Sequence, residues 1–301
     1  LLRHSVSQIA LLGSVCTSSL IFLGPSMTRP LLPVLLEQWG ASESAVGTLA
    51  GLYALLPLLL AIPSGSWIDR VGPRRAALAG SFGLALLPVA LSPSVASVVV
   101  SQLLAGQSQL LVVLATQTAS VAGVSGRQLE RNVGLLLMSA AAVRMAGPAL
   151  GGAIAARWEI PQVFLAGALF GFTSMLPSLL LDRRIVSRAA DSRGQAPVRA
   201  TFGDLARALR WVRQDPVMRT VVIVTVGVLL GESVRQVFLP LHLTTRSYGA
   251  EVVGVVASAA GLGNLVARPL LGHLTALTRG RWRLAMPRSR WAACPQGPYR
   301  G

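Results

Sequence analysis

Two observations predict an all-α, polytopic membrane protein: the hydropathy of the chain and the placement of its charge. Of 301 residues, 52% are hydrophobic and only 13% charged, and the mean hydropathy of +0.61 is too apolar for a water-soluble domain. The formal charge of +16 comes from 27 basic residues, every one an arginine, set against 11 acids. On a soluble face that charge would point to nucleic acid. Here the arginines gather in alternate loops between apolar runs, so lipid is the expected surrounding and nucleic acid is not a partner.

Eight apolar runs follow one another, at about residues 6–36, 46–63, 76–91, 95–124, 133–156, 163–181, 217–239 and 252–277. At about 1.5 Å per helical residue they suit a hydrocarbon core of roughly 30 Å, the third being short. A barrel would need short alternating segments, which the sequence lacks. The first run, with Arg3 as its charged flank, is longer than a signal-peptide core and is followed by further spans, so it is taken as the first span, interrupted by Pro25, Arg29, Pro30 and Pro33. Arg70, Arg74 and Arg75 follow span two, Arg127 and Arg131 follow span four, and eight arginines from Arg183 to Arg213 follow span six. The opposite loops carry Arg157 and Arg246. This bias places both ends and the long central loop in the cytoplasm, the bacterial inner membrane being the expected location.

The chain divides accordingly into a six-span bundle (1–181), a central loop (182–215), two further spans (216–278) and a basic, irregular tail (279–301). Within the loop, Phe202, Leu205, Leu209 and Val212 recur at helical spacing with Arg207, Arg210 and Arg213 between them, the pattern of an amphipathic helix on an anionic leaflet. A solvated linker helix is the plainer alternative. Asp215 and Pro216 make a cap and first position for span seven.

Catalytic chemistry finds few residues. Cys16 and Cys294 suggest neither a disulfide framework nor a zinc site, His4, His242 and His273 are scattered, and no glycine-rich phosphate loop occurs. No nucleophile, base and orienting group can be assembled, so the chain is not expected to be an enzyme, to hold a metal or to need a cofactor.

The most informative stretch is the charged turn GSWIDRVGPRR between spans two and three. Its Gly65, Asp69, Arg70, Gly72, Arg74 and Arg75 stand at the spacing of the signature between spans two and three of the major facilitator superfamily of transporters, which the chain therefore resembles. Gly65 would allow close helix approach, Asp69 would cap a facing helix N-terminus, and Gly72 would supply the turn. After span eight only an echo of that turn remains, with Gly272 in place and Ala276 where the aspartate belongs. In span five, Gly134, Gly147, Pro148, Gly151 and Gly152 resemble the antiporter signature of the same superfamily, with Val143 replacing its central glycine. Small-residue packing and a proline kink are the plain physical content of that pattern. In span four Gly106 matches the family, but Gln102 occupies the position of its proton-coupling arginine. The resemblance implies two bundles rocking about a central site. It also implies twelve spans, four of them absent here, so that the 301 residues alone are not expected to run a transport cycle.

Residues inside the spans supply the remaining candidates. A charge at the centre of a span costs about 2.5–3.5 kcal/mol on insertion scales. Arg29 and Arg144, with Gln109 and Gln117, are accordingly candidates for a cavity that binds the transported small molecule, against the alternatives of snorkelling and helix-to-helix hydrogen bonding. Glu232, with Arg235 three residues on along the same face, is the candidate for proton coupling, against a permanent ion pair. The function expected is proton-coupled efflux of an unspecified small solute by alternating access. The competing expectation is a truncated remnant or membrane scaffold that transports nothing.

Overall fold

The computed structural model describes residues 2–122, 124–181, 212–214, 216–246 and 248–263. All regular elements among them are helical: α1 (Leu2–Thr28), α2 (Leu32–Gln38), α3 (Glu43–Val71), α4 (Pro73–Ala85), a 3-10 turn (Leu87–Leu91), α5 (Val95–Val121), α6 (Gly126–Trp158), α7 (Ile160–Thr173), α8 (Met175–Ser178), α9 (Pro216–Thr245) and α10 (Ala250–Gly263). Seven segments among the described residues are long and apolar enough to cross a membrane. They are Gln8–Gln38, Glu43–Val71, Pro73–Leu91, Val95–Val121, Gly126–Trp158, Ile160–Ser178 and Met218–Thr245. The eighth predicted run begins as α10. The proposed amphipathic stretch 202–211, the cap residue Asp215, the echo of the charged turn and the tail lie outside the described residues.

Local chemistry explains where these helices start and stop. Pro25 sits inside α1, whereas Pro30 disfavours helical backbone at Arg29 and ends it; Arg29 N still bonds Pro25 O at 2.9 Å. Pro33 then lies in the first turn of α2, where a missing amide costs nothing. Ser42 and Ser94 cap α3 and α5, accepting from Ala45 N at 3.4 Å and Ser97 N at 3.2 Å. Gly72 ends α3 and starts α4 at φ 89°, ψ 154°, a region open to glycine alone, and Pro73 follows as the first residue of α4. The short third span completes its length with the 3-10 turn at Leu87–Leu91.

Residues up to Ala259 form one compact unit; the second begins at Ala260, and its described part is the end of α10. In the first unit α5 takes the weight of α3 and α4, and α1 packs on α5, α6 and α7. Three apolar clusters fill the seams. One joins Met27, Leu31, Leu35 and Leu36 to Val46, Val98 and Phe164; a second joins Ile21, Phe22 and Tyr53 to Leu84, Leu87 and Val112; a third joins Ile68, Ala76 and Ala77 to Ala115 and Leu181. Several buried hydroxyls are satisfied between or within helices, as with Ser174 Oγ donating to Ser81 Oγ at 2.8 Å and Thr28 Oγ1 to Gly24 O at 3.1 Å, while the buried Ser120 Oγ has no partner among the described residues. α9 meets the rest through α2 and α3, where Thr244 Oγ1 donates to the Glu37 carboxylate at 2.9 Å. Exposed Leu58, Leu59, Ile223, Val224 and Val228 mark faces suited to lipid.

Candidate functional site

Tyr53, on α3, is the centre of a cluster that draws on four helices. Its ring is buried, and its hydroxyl donates to Gln109 Oε1 of α5 at 2.6 Å. The close approach behind this bond comes from Gly106: a Cβ there would collide with the Tyr53 carbonyl oxygen and touch Pro57 Cδ at 3.4 Å. The Arg29 guanidinium, just past the end of α1, lies over the Tyr53 ring at 4.5 Å from its centroid. Arg144, from the middle of α6, lies over the Phe22 ring at 4.6 Å. Phe22 and Tyr53 belong to one apolar cluster, against which Val143 also packs. Two cations therefore stand over rings of the same apolar cluster. Both arginines are exposed.

Glu232, near the middle of α9, is held twice by Arg235. Nε donates to Oε2 at 3.0 Å and Nη2 to Oε1 at 2.6 Å, while Gln236 Nε2 donates to Oε1 at 2.8 Å. The bidentate geometry is the strong form of this pair. Both side chains are about one-third exposed, at 31% and 34%, so the pair is reachable rather than sealed.

The second half of α6 is a packing surface without side chains. A Cβ at Gly151 would lie 2.7 Å from Met27 O, and one at Gly147 would strike the Ser26 side chain, so α6 seats on α1 there. A Cβ at Gly152 would lie 2.7 Å from Ala250 O and 3.1 Å from Gly254 Cα, so α6 and α10 cross backbone to backbone. Beside this crossing Ala149 N donates to Ser258 Oγ of α10 at 2.9 Å. This bond lies next to Pro148, which has no amide of its own to give to the helix. Gly134, in contrast, has nothing within 4 Å of its Cβ position.

In the charged turn Gly72 supplies the predicted reversal. Asp69, Arg70 and Arg75 are exposed, and the Asp69 carboxylate makes no side-chain hydrogen bond among the described residues. Arg74 is half-buried, with its Nε lacking a hydrogen-bond partner. At Gly65 nothing lies within 4 Å of the Cβ position, so the close approach expected there does not occur among these residues.

Comparison with known proteins decides the family. The profile of the Major Facilitator Superfamily matches residues 15–288, nearly the whole sequence. The chain belongs to the major facilitator superfamily. Quinolone resistance protein NorA of Staphylococcus aureus is 27% identical over 165 residues, with the same values in strains Mu50 and N315; the match covers 54% of this chain and 42% of the relative. The chain thus spans about half the length of the curated relatives it matches. The crystal structure of a D-xylose-proton symporter superposes with a TM-score of 0.53 at 16% identity, covering 93% of this chain and 69% of that one, a likeness of fold. This member of the superfamily is a multi-pass membrane protein of a transport family, not of an enzyme family.

Of the sequence-derived cavity candidates, Arg29, Gln109 and Arg144 come together around Tyr53 and Phe22, whereas Gln117 is exposed two turns further along α5, about 12 Å away. Gln102, standing where the family places an arginine, is buried at 5% exposure. Two members of the cluster escaped sequence reasoning. Tyr53 had a detectable signal, a single hydroxyl-bearing ring inside an aliphatic run, which needs a polar partner on a neighbouring helix. Phe22 had none.

Proposed function

We propose that this superfamily member is a secondary active exporter, moving a small solute out across the bacterial inner membrane in exchange for protons by alternating access, with both ends in the cytoplasm. Similarity to a quinolone resistance protein supports the direction, and the glycine surface of α6 supports the antiporter reading. The observation that carries the coupling is Glu232. Among the described residues it is the one acid deep in a span, and it is reachable and held by groups that bond its ionised form. Protonation would remove the acceptor charge that Arg235 and Gln236 hold, which is the event a proton carrier needs.

The test expresses the complete reading frame that contains these residues in bacterial cells and follows accumulation of a fluorescent quinolone. Expressing cells should accumulate less than control cells, the difference should vanish when the proton gradient is collapsed, and Glu232→Gln should abolish it. Gradient-dependent efflux that survives Glu232→Gln would remove Glu232 from the mechanism, and no effect of expression on any solute tried would remove the transport reading.

A further inference from the structure

The packing of α9 and α10 on the first six spans is concentrated at one end of the protein. Leu32–Leu36 of α2 are all buried, although a helix laid on a single surface buries only a stripe. Their apolar cluster takes in Val46 of α3 and Phe164 of α7, and Val237 of α9 and Ala250 of α10 pack against it, so this short helix is wedged between the two groups. At the same end the Phe238 ring reaches 4.0 Å from the Cβ position of Gly47, and Gly152 crosses α10 at Ala250 and Gly254. Along α9, residues 222–228 are exposed, whereas Pro240 and Leu241 are buried. The charged turn lies at the far end of α3, 29 residues and about 43 Å away along the helix.

A directional bond lies within this packing. Thr244 Oγ1, in the last turn of α9, donates to Glu37 Oε2 at 2.9 Å, and the same hydroxyl lies 2.8 Å from Leu241 O. A hydroxyl has one proton, so the two acceptors compete for it. With the helices together, the carboxylate is the stronger acceptor. When they part, the hydroxyl falls back on the carbonyl of its own helix, and Glu37, half-buried and one residue from the end of α2, takes water instead. Neither group is left unpaired in either arrangement, so the bond favours contact without making separation prohibitive. A contact that is made and broken in every cycle requires that balance. Resting on the alternating-access reading above, we propose that Glu37 and Thr244 form a releasable latch that holds the α2 end of the protein closed.

The latch is tested without a solute. The 301-residue chain, with Cys16 and Cys294 replaced by serine, is spin-labelled in lipid nanodiscs through Val95→Cys and His242→Cys, two exposed positions on α5 and α9. Pulsed electron paramagnetic resonance gives the ratio of separated to closed populations. Thr244→Val and Glu37→Ala should each raise that ratio about ten-fold, the worth of one hydrogen bond to a charged group. The double variant should raise it no further than either single variant, because both remove the same bond. Thr244→Ser and Glu37→Gln, which keep the donor and an acceptor oxygen, should stay within about three-fold of wild type. An unchanged ratio in Thr244→Val and Glu37→Ala, or single effects that multiply in the double variant, overturns the proposal. Retention of fold is read from thermal unfolding midpoints, and either single variant decides alone if the other does not fold. The two readings fail separately: quinolone efflux by the complete reading frame with an unresponsive ratio rejects the latch, and a responsive ratio without efflux rejects the exporter.

Discussion

The two ends of the glycine pattern in α6 make opposite predictions when a methyl group is added. At Gly152 the new Cβ would sit 2.7 Å from Ala250 O, 3.1 Å from Gly254 Cα and 3.3 Å from Glu251 Cα, all backbone atoms that have no rotamer to escape into. α10 must move away as a body. Overpacking of this kind costs about 1–3 kcal/mol, and the Ala149 N–Ser258 Oγ bond, whose 2.9 Å length depends on the same crossing, adds about 0.5–1.5 kcal/mol if it is broken. Helix propensity returns up to about 1 kcal/mol for Gly→Ala, so the net expectation is a loss of about 1–3 kcal/mol. At Gly134 nothing lies within 4 Å, so only the propensity gain of up to about 1 kcal/mol remains. Unfolding of the purified chain in mixed micelles, titrated with a denaturing detergent, measures both changes. Gly152→Ala should unfold earlier than wild type and Gly134→Ala at the same point or later. Equal behaviour of the two variants would refute the claim that close backbone approach, rather than family inheritance, explains the glycine at 152.

Three further outcomes are expected. Tyr53→Phe keeps the ring beneath Arg29 but removes the 2.6 Å donor to Gln109, and should lower stability by about 0.5–1.5 kcal/mol in the same unfolding assay. Gly72→Ala places a Cβ at φ 89°, ψ 154° and should cost about 1–3 kcal/mol, detectable as faster proteolysis at the turn between α3 and α4. Ser258→Ala removes the acceptor used by Ala149 N and should destabilise the chain by about 1–3 kcal/mol if the amide stays unpaired, an effect that double substitution with Gly152→Ala should not add to in full.

The spans were legible because membrane insertion writes itself into length and hydropathy, and each predicted run through the seventh corresponds to a described helix of spanning length. Their boundaries shifted where a local rule outweighed hydropathy. The third span starts at Pro73 rather than near residue 76 because Gly72 and Pro73 begin a helix at once, and its short apolar run reaches spanning length by tightening into a 3-10 turn. Glycines were legible as a class but not one by one. Gly65 and Gly134 have open space, Gly147, Gly151 and Gly152 have backbone or side chain against them, and no sequence spacing distinguishes these cases because the neighbour comes from another helix. The same reason hid Tyr53. Its partner Gln109 is 56 residues away, and the contact depends on Gly106 letting α5 close on α3.

One helix joins the site to the surface that holds α10. Pro148 removes the donor that would bond the carbonyl of the residue four earlier, and that residue is Arg144, whose guanidinium stands over Phe22. One turn on, Ala149, Gly151 and Gly152 carry the contacts to α1 and α10. The weak point of α6 therefore lies between its cation and its packing surface. The part of α6 before Pro148 carries Arg144, and the part after it carries the contacts to α1 and α10.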